Sequence, residues 1–207
     1  MHRVGRLSVT VGIVVTLGGL VACSGETGKA TPTSGTSSPA SPSSGQQPGA
    51  AVPQISNPLP ASVIQRDPCS VLTSTQIDGL FTGTPTQSPV QDTGAAKSCS
   101  WSDLDKGSLV GVQLVYAWKD GLRTVYNTQS QGGFFKVLQP VQGYPVVAYG
   151  PHDERSQGRC SVAIGIADNA AFDVDVTLAR SVVGQTDPCQ DANHVADLAV
   201  TTLKGGA

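Results

Sequence analysis

The chain has 207 residues, and its 13 basic and 15 acidic residues leave a formal net charge of −2. It contains no basic stripe and no polybasic cluster. The sequence therefore lacks the positive charge with which proteins bind nucleic acid and anionic lipid headgroups, and this excludes both as partners. The acidic residues are scattered along the sequence, so charge alone indicates no particular partner.

Residues 1–22 have the pattern of a secretory signal peptide. Arg3 and Arg6 form a basic start, and residues 7–21 are uncharged and mostly apolar, which is typical of such peptides. The apolar run has 15 residues, fewer than the roughly 20 that span a bilayer.

This run ends in Leu-Val-Ala-Cys, which resembles the lipobox of bacterial lipoproteins. The resemblance implies cleavage after Ala22 and a diacylglycerol on Cys23. We therefore expect a protein that is anchored by this lipid to the extracytoplasmic face of the cell membrane. The alternative is an ordinary signal peptide that is followed by an incidental cysteine.

The lipidated cysteine and the segment behind it, residues 23–60, are predicted to form a disordered tether. Of the 37 residues from 24 to 60, 24 are Ser, Thr, Gly or Pro, and none is aromatic. Such a composition cannot build a core. The remaining residues, 61–207, are enough for one extracytoplasmic domain.

Four further cysteines, Cys69, Cys99, Cys160 and Cys189, predict two disulfides. No two of them are close enough in sequence for a zinc site or a Cys-x-x-Cys redox centre. Two follow Asp-Pro at predicted helix starts, and two begin predicted strands. We favour helix-to-strand pairing, Cys69–Cys99 and Cys160–Cys189. The nested pairing, Cys69–Cys189 with Cys99–Cys160, stays open.

Capping signals predict helices at both ends of the domain. The sequence Asp-Pro-Cys occurs at residues 67–69 and 187–189, and it suits a helix start because Asp caps free N–H groups and Pro fits the first turn. Thr73 and Gln76 form a capping box before a helix that extends to about Leu80. The second copy begins a longer helix, residues 188–204, with an apolar face at helical spacing.

The middle of the domain is predicted to be mostly strands, interrupted by one helix that follows Asp120. In the last strand Phe172, Val174 and Val176 share one face, and Asp173 and Asp175 share the other. We therefore predict an α+β domain with an antiparallel sheet of five or six strands, with the N-terminal and C-terminal helices packed on one face. The strands are predicted at residues 99–103, 108–118, 135–141, 144–150, 159–168 and 171–178.

The sequence offers no catalytic motif, no set of metal ligands and no cofactor-binding motif. His152 lies in a polar loop, and His194 is three residues from Asp197 on the last helix, where we expect a surface pair. No Gly-x-Ser-x-Gly elbow supports a serine hydrolase.

Four aromatic residues, Trp118, Tyr126, Phe134 and Phe135, are the candidates for a ligand site. Core packing accounts for most such residues. The functional interpretation is a groove between a helix and the sheet that these rings line in part. Two adjacent Phe residues on a strand point to opposite faces, so one of them can lie outside the main core.

The order of these motifs is similar to a known family. The segments DPCSVLTSTQIDGL, CSW, VQGYPVVAY, RCSVAIGIADNAAFDVDV and DPCQDANHVADLAVTTLK resemble the actinobacterial lipoproteins catalogued as domain of unknown function 3558. The resemblance covers most of residues 64–204. It implies an envelope location and a compact α+β fold, and it implies no reaction.

We therefore expect a non-catalytic, lipid-anchored module that binds a protein partner or a small apolar ligand. One alternative is an envelope hydrolase whose site is assembled from scattered residues. The other is a purely structural accessory subunit.

Overall fold

The computed structural model describes residues 51–206. The predicted signal peptide, the lipidation site Cys23 and the tether up to residue 50 lie outside the described residues. The described residues belong to one compact unit. Among the residues that the structure describes, no helix combines the length and the apolar character that a membrane span requires.

Eight strands and three α-helices make up the described chain. The strands are β1 (Thr86–Gln87), β2 (Gln91–Asp92), β3 (Ala96–Asp103), β4 (Ser108–Val115), β5 (Phe134–Val137), β6 (Val146–Gly150), β7 (Arg159–Ala167) and β8 (Ala170–Thr177). The helices are α1 (Ser74–Leu80), α2 (Leu122–Thr128) and α3 (Pro188–Gly205). Two short 3-10 helices, Ala61–Gln65 and Pro68–Ser70, precede α1.

All strands belong to one antiparallel sheet in the order β1-β3-β4-β8-β7-β6-β5, and β2 also pairs with β3. The predicted α+β class and antiparallel pairing are confirmed, whereas the predicted count of five or six strands is too low. The additional strands, β1 and β2, have two exposed polar residues each. They lie on either side of Pro89 at one edge of the sheet, and strands so short carry no alternating apolar pattern.

The connection from β4 to β5 explains why the sheet has two covered faces. The chain leaves the middle of the sheet after β4, forms α2, and enters β5 at the far edge before β6, β7 and β8 return to pair with β4.

The residue before α2, Gly121, has φ +53°, and a Cβ there would lie 2.9 Å from the carbonyl oxygens of Ala167 and Asp168. Only glycine fits this close approach.

The main core lies on the side of the sheet that Phe172, Val174 and Val176 share, which we call the first face. These three side chains are buried, and α3 packs on them through Val195, Ala199 and other small apolar residues. Ile77 of α1 joins the same core. Both terminal helices thus contribute to one core, whereas the prediction gave no place on the sheet to the middle helix.

The opposite side, which we call the second face, carries α2 and a smaller apolar cluster. Leu122, Val125 and Tyr126 of α2 pack on Val147 and Ala163 of the sheet. The middle helix thus lies on the face opposite to the terminal helices, because the β4–β5 connection crosses there.

Both disulfides join a helix start to a strand, as we favoured from the sequence. Cys69 is bonded to Cys99 of β3, and Cys160 of β7 is bonded to Cys189 of α3. Asp67 and Asp187 cap the helical turns through the backbone N–H groups of Cys69 and Cys189, each at 2.9 Å. The nested pairing is absent.

The residues just before the first 3-10 helix contact the domain. Leu59 is buried, and its N–H donates to the carbonyl of Ile166 at 2.8 Å. Val52 packs on the second-face cluster, and Ile55 packs on the main core. Among the described residues, part of the predicted tether segment therefore contacts the domain, from Val52 onward.

Candidate functional site

The four predicted groove residues do not line one groove. Tyr126 and Phe135 meet edge to face, with ring centroids 5.0 Å apart, and Trp118 meets Tyr149 in the same way at 5.9 Å. These rings belong to the second-face cluster beneath α2. The contacts of these three rings are packing contacts, and the predicted groove stays a prediction.

Phe134 lies on the other side of β5 from Phe135, as the alternation of adjacent strand residues predicted. The guanidinium of Arg155 lies 4.9 Å from the centre of its ring, and the ring also lines a cavity that is described below. Phe134 is therefore the predicted residue that does reach an open site.

Polar side chains cluster on the second face of the central strand β8. Asp173 is 1 % exposed, and its Oδ2 accepts a hydrogen bond of 2.6 Å from the hydroxyl of Tyr149. Two residues further on, the carboxylate of Asp175 accepts hydrogen bonds from Ser161 Oγ and from Gln113 Nε2, the latter at 2.7 Å. These five residues come from β4, β6, β7 and β8.

Asp173 is an unusual carboxyl. Burial raises the pKa of Asp173 well above its usual range, the negative charge of Asp175 raises it further, and the hydrogen bond from Tyr149 opposes these effects. Its second oxygen, Oδ1, is buried with no hydrogen-bond donor. These surroundings favour the protonated form of Asp173.

The sequence held a signal for this cluster that the prediction did not use. The alternation of residues placed Asp173 and Asp175 on the face of the strand opposite to the core. If this strand were at the edge of the sheet, both side chains would be exposed to water. The two residues are buried or half-buried because β8 is central in the sheet. Tyr149, Ser161 and Gln113 carried no recognisable pattern, because they come from three other strands.

A cavity of about 180 Å³, which we call the polar cavity, lies at the end of β7 and β8. Asp175, Ser161 and Thr177 contribute polar groups to its lining, and Phe134 and Tyr149 contribute rings. The loop after β6 completes the wall with His152 and Glu154, and Arg159 lies opposite. The cavity therefore brings one half-buried carboxylate, two rings and an accessible loop together.

His152 and Ser161 line this same cavity, as a hydrolase would require. Ser161 donates its hydrogen bond to Asp175, however, and within residues 51–206 no hydrogen bond connects His152 with Ser161 or with an acid. The arrangement lacks the base-to-nucleophile contact of a catalytic triad.

A second cavity, of about 300 Å³, lies on the first face between α1, α3 and the ends of β4 and β8. We call it the apolar cavity. Most of its lining side chains are hydrocarbon, and they include Leu80, Phe81, Val110, Leu178, Val182 and Val195.

Two polar residues of α3, Asp191 and His194, lie on one side of the apolar cavity. Burial raises the pKa of Asp191, and the nearby His194 lowers it. Among the described residues, no ion pair or hydrogen bond joins His194 to Asp197, so the predicted pair is wrong. Asp197 instead accepts a hydrogen bond from Gln142 at 3.1 Å.

The helical walls of the apolar cavity are fixed to each other and to the sheet. Gln76 Nε2 donates to the carbonyl of Leu198 at 3.1 Å, and Thr202 donates to Gln76 Oε1 at 3.0 Å. Cys189, two residues before Asp191, is bonded to the sheet through Cys160. Fixed walls favour a preformed cavity, which reduces the entropy cost of binding.

Among residues 51–206, no three His, Cys, Asp or Glu side chains are arranged to hold a metal ion. Neither cavity has the glycine-rich loop and helix start that would bind a nucleotide phosphate.

The comparison with known proteins identifies one family. The family described as Protein of unknown function (DUF3558) matches residues 18–202. No curated protein and no solved structure matches the chain significantly.

Proposed function

The chain belongs to the DUF3558 family, whose members are proteins of unknown function, and we propose a function for it from its own residues. We propose that it is a lipid-anchored extracytoplasmic module that binds a small, mainly apolar molecule in the apolar cavity. The anchor is the diacylglycerol on Cys23. Two observations support this location: the Leu-Val-Ala-Cys pattern and the two disulfides, which persist in oxidising compartments.

The apolar cavity is the observation that carries the binding role. Ligand pockets are concave and mostly apolar, with a few polar groups that orient the ligand, and this cavity combines hydrocarbon walls with Asp191 and His194. Its 300 Å³ is at the small end of the usual range. It holds on the order of ten water-sized groups, since each takes about 30 Å³.

The ligand class follows from this lining. Its body is an alkyl chain or a small ring, and one end carries a hydroxyl or amine that reaches Asp191 or His194. The surface gives little support for a structural subunit. Among the described residues only three large apolar side chains are exposed, Val90, Leu104 and Val137, and Val137 lies at the opposite edge of the sheet from Val90.

The binding role can be tested with straight-chain alcohols. The experiment uses the compact unit, residues 45–207, because it contains the core and both disulfides and needs no detergent. Calorimetric titration with n-butanol to n-decanol should show affinity rising about fourfold per methylene group, as expected for about 0.8 kcal/mol per buried CH₂. The rise should stop once the chain fills the cavity.

Two glycine variants provide the matched pair for this test. Gly79 lines the apolar cavity, and a Cβ added there meets nothing within 4 Å, so Gly79→Leu narrows the cavity without a clash. A Cβ added at Gly205, near the end of α3, also meets nothing within 4 Å, and Gly205 does not line the cavity. Gly79→Leu should weaken n-octanol binding, and Gly205→Leu should not. Equal affinity in the two variants would refute the proposed site.

The anchor requires a separate experiment on the full chain. In a bacterial host that lipidates exported proteins, wild-type protein should carry a diacylglycerol on Cys23, detected by mass spectrometry of the N-terminal peptide. Cys23→Ala should abolish this modification. A peptide that begins elsewhere, or an unmodified Cys23, would contradict the anchor and leave the cavity result unaffected.

A further inference from the structure

The polar cavity contains a carboxylate that no protein cation neutralises. Asp175 lines this cavity and accepts hydrogen bonds from Ser161 and Gln113. Among residues 51–206, none of the ion pairs includes Asp175. A half-buried carboxylate without an opposite charge is costly, so this one invites a cation from outside the chain.

Arg159 lines the cavity and Arg155 lies over the ring of Phe134 in its wall, and both arginines are already paired with other acids. Arg155 donates to Asp153 at 2.7 Å and holds the pKa of that carboxyl at about 2. Arg159 lies 3.1 Å from Glu154. Both side chains are therefore engaged at the rim, and the charge of Asp175 remains available to a ligand.

The neighbouring Asp173 does not compete with Asp175 for a cation. It is 1 % exposed, it projects on the same face of β8, and its Oδ1 has no partner. Burial and the adjacent carboxylate both raise the pKa of Asp173. Of the two carboxyl residues, only Asp175 is among those that line the polar cavity.

We propose that the polar cavity binds a small primary ammonium ion or the terminal ammonium group of a larger amine. An ammonium group offers three donors and no acceptor, which matches the carboxylate of Asp175 and the hydroxyl oxygens of Ser161 and Thr177. Tyr149 lines the same space, and aromatic rings attract cations. Phe134, which also lines it, already carries the guanidinium of Arg155 on its ring.

The donor set and the size of the cavity distinguish this ligand from others. A divalent cation of the Mg²⁺ or Ca²⁺ type needs six or more oxygen ligands, whereas only Asp175 and the rim residue Glu154 supply carboxylates to the lining. The 180 Å³ cavity holds about six water-sized groups, which fits a short alkylammonium head. This site is separate from the apolar cavity, and it does not depend on the function proposed above.

The test uses the full chain in phosphatidylcholine nanodiscs and n-butylammonium chloride as the probe. Isothermal titration should show saturable binding by the wild-type protein. Asp175→Asn should lower the affinity for n-butylammonium at least about 30-fold, since it removes the half-buried carboxylate that pairs with the ammonium group. Asp153→Asn removes the same charge from the neighbouring loop outside the cavity, and it should change the affinity less than about threefold.

Several results would overturn the proposal. The first is the absence of saturable binding of n-butylammonium by the wild-type protein. The second is an equal loss of affinity in Asp153→Asn and Asp175→Asn. The third is displacement of the probe by MgCl₂ at a lower concentration than by ethylammonium chloride. If Asp175→Asn does not fold, n-butanol replaces the variant. It has a similar shape without the charge, and it must fail to displace n-butylammonium for the proposal to stand.

Discussion

The hydroxyl of Tyr149 donates a hydrogen bond of 2.6 Å to the carboxyl of Asp173, which is buried in the central strand of the sheet. Among the described residues, the Tyr149 hydroxyl is the only hydrogen-bond donor to the side-chain carboxyl of Asp173, because its Oδ1 has no partner. A buried acid in this position lowers stability at neutral pH, and its presence at the polar cluster suggests a role in the site.

The first prediction concerns the pH dependence of stability. Burial raises the pKa of Asp173 above its unfolded value of about 3.9. The folded state therefore holds more protons than the unfolded state above pH 4, and stability falls as pH rises toward the folded pKa. Asp173→Asn removes this cost. The variant should match the wild-type protein near pH 4 and exceed it at pH 7.5 by about 1.4 kcal/mol or more.

Thermal unfolding of both proteins between pH 4 and pH 8 measures this difference. Asp105→Asn is the control, because Asp105 is exposed in the β3–β4 turn and its removal should shift the melting temperature equally at every pH. A difference between Asp173→Asn and the wild-type protein that does not grow with pH would mean that Asp173 is ionised in the fold.

The second prediction concerns two tyrosines, Tyr149 of β6 and Tyr116 in the turn after β4. Tyr149→Phe removes the donor to Asp173 and leaves a buried carboxyl with no partner, so the free energy of unfolding should fall by about 1–3 kcal/mol. Tyr116 is the matched control, because its hydroxyl is buried without a hydrogen bond. Tyr116→Phe should be neutral or slightly stabilising in urea denaturation, and an equal loss in the two variants would refute the role of the Tyr149 bond.

The elements with local signals were predictable from the sequence. The Asp-Pro-Cys turns, the Thr73 capping box and the alternation of Phe172, Val174 and Val176 are determined by neighbouring residues, and the structure contains each of them. The disulfide pairing followed because each cysteine lay on an element with a defined face.

The arrangement of the site depends on contacts between distant segments, and these were not predictable. Whether Asp173 faces water or protein depends on β4 and β7 lying on either side of β8, which no local pattern specifies. The same holds for α2, whose apolar residues fit either face of a sheet. Trp118 and Phe135 were assigned to a groove because their rings are large, although a large ring packs equally well beneath a helix.

The third prediction compares two glycines at helix positions. Gly79 lies in α1, and an added Cβ meets no atom within 4 Å. Gly79→Ala should therefore stabilise the domain by about 0.5–1 kcal/mol, since Ala loses less backbone entropy on folding. Gly121 precedes α2 with φ +53°, and an added Cβ would meet two carbonyl oxygens at 2.9 Å. Gly121→Ala should destabilise the domain by more than about 1 kcal/mol, and chemical denaturation of both variants checks the opposite signs.

The fourth prediction separates the two disulfides by their distance from the apolar cavity. They close loops of 30 and 29 residues, so replacing either pair with serine should cost about 3–4 kcal/mol in the chain-entropy model. The effects on binding should differ. Cys189 lies in the first turn of α3, close to Asp191 and His194, whereas Cys69 lies in a 3-10 helix ahead of α1. The Cys160→Ser/Cys189→Ser variant should therefore lose more affinity for n-octanol than the Cys69→Ser/Cys99→Ser variant. Titration at a temperature where both variants remain folded measures this, and equal affinities would show that the Cys160–Cys189 bond does not position the cavity wall.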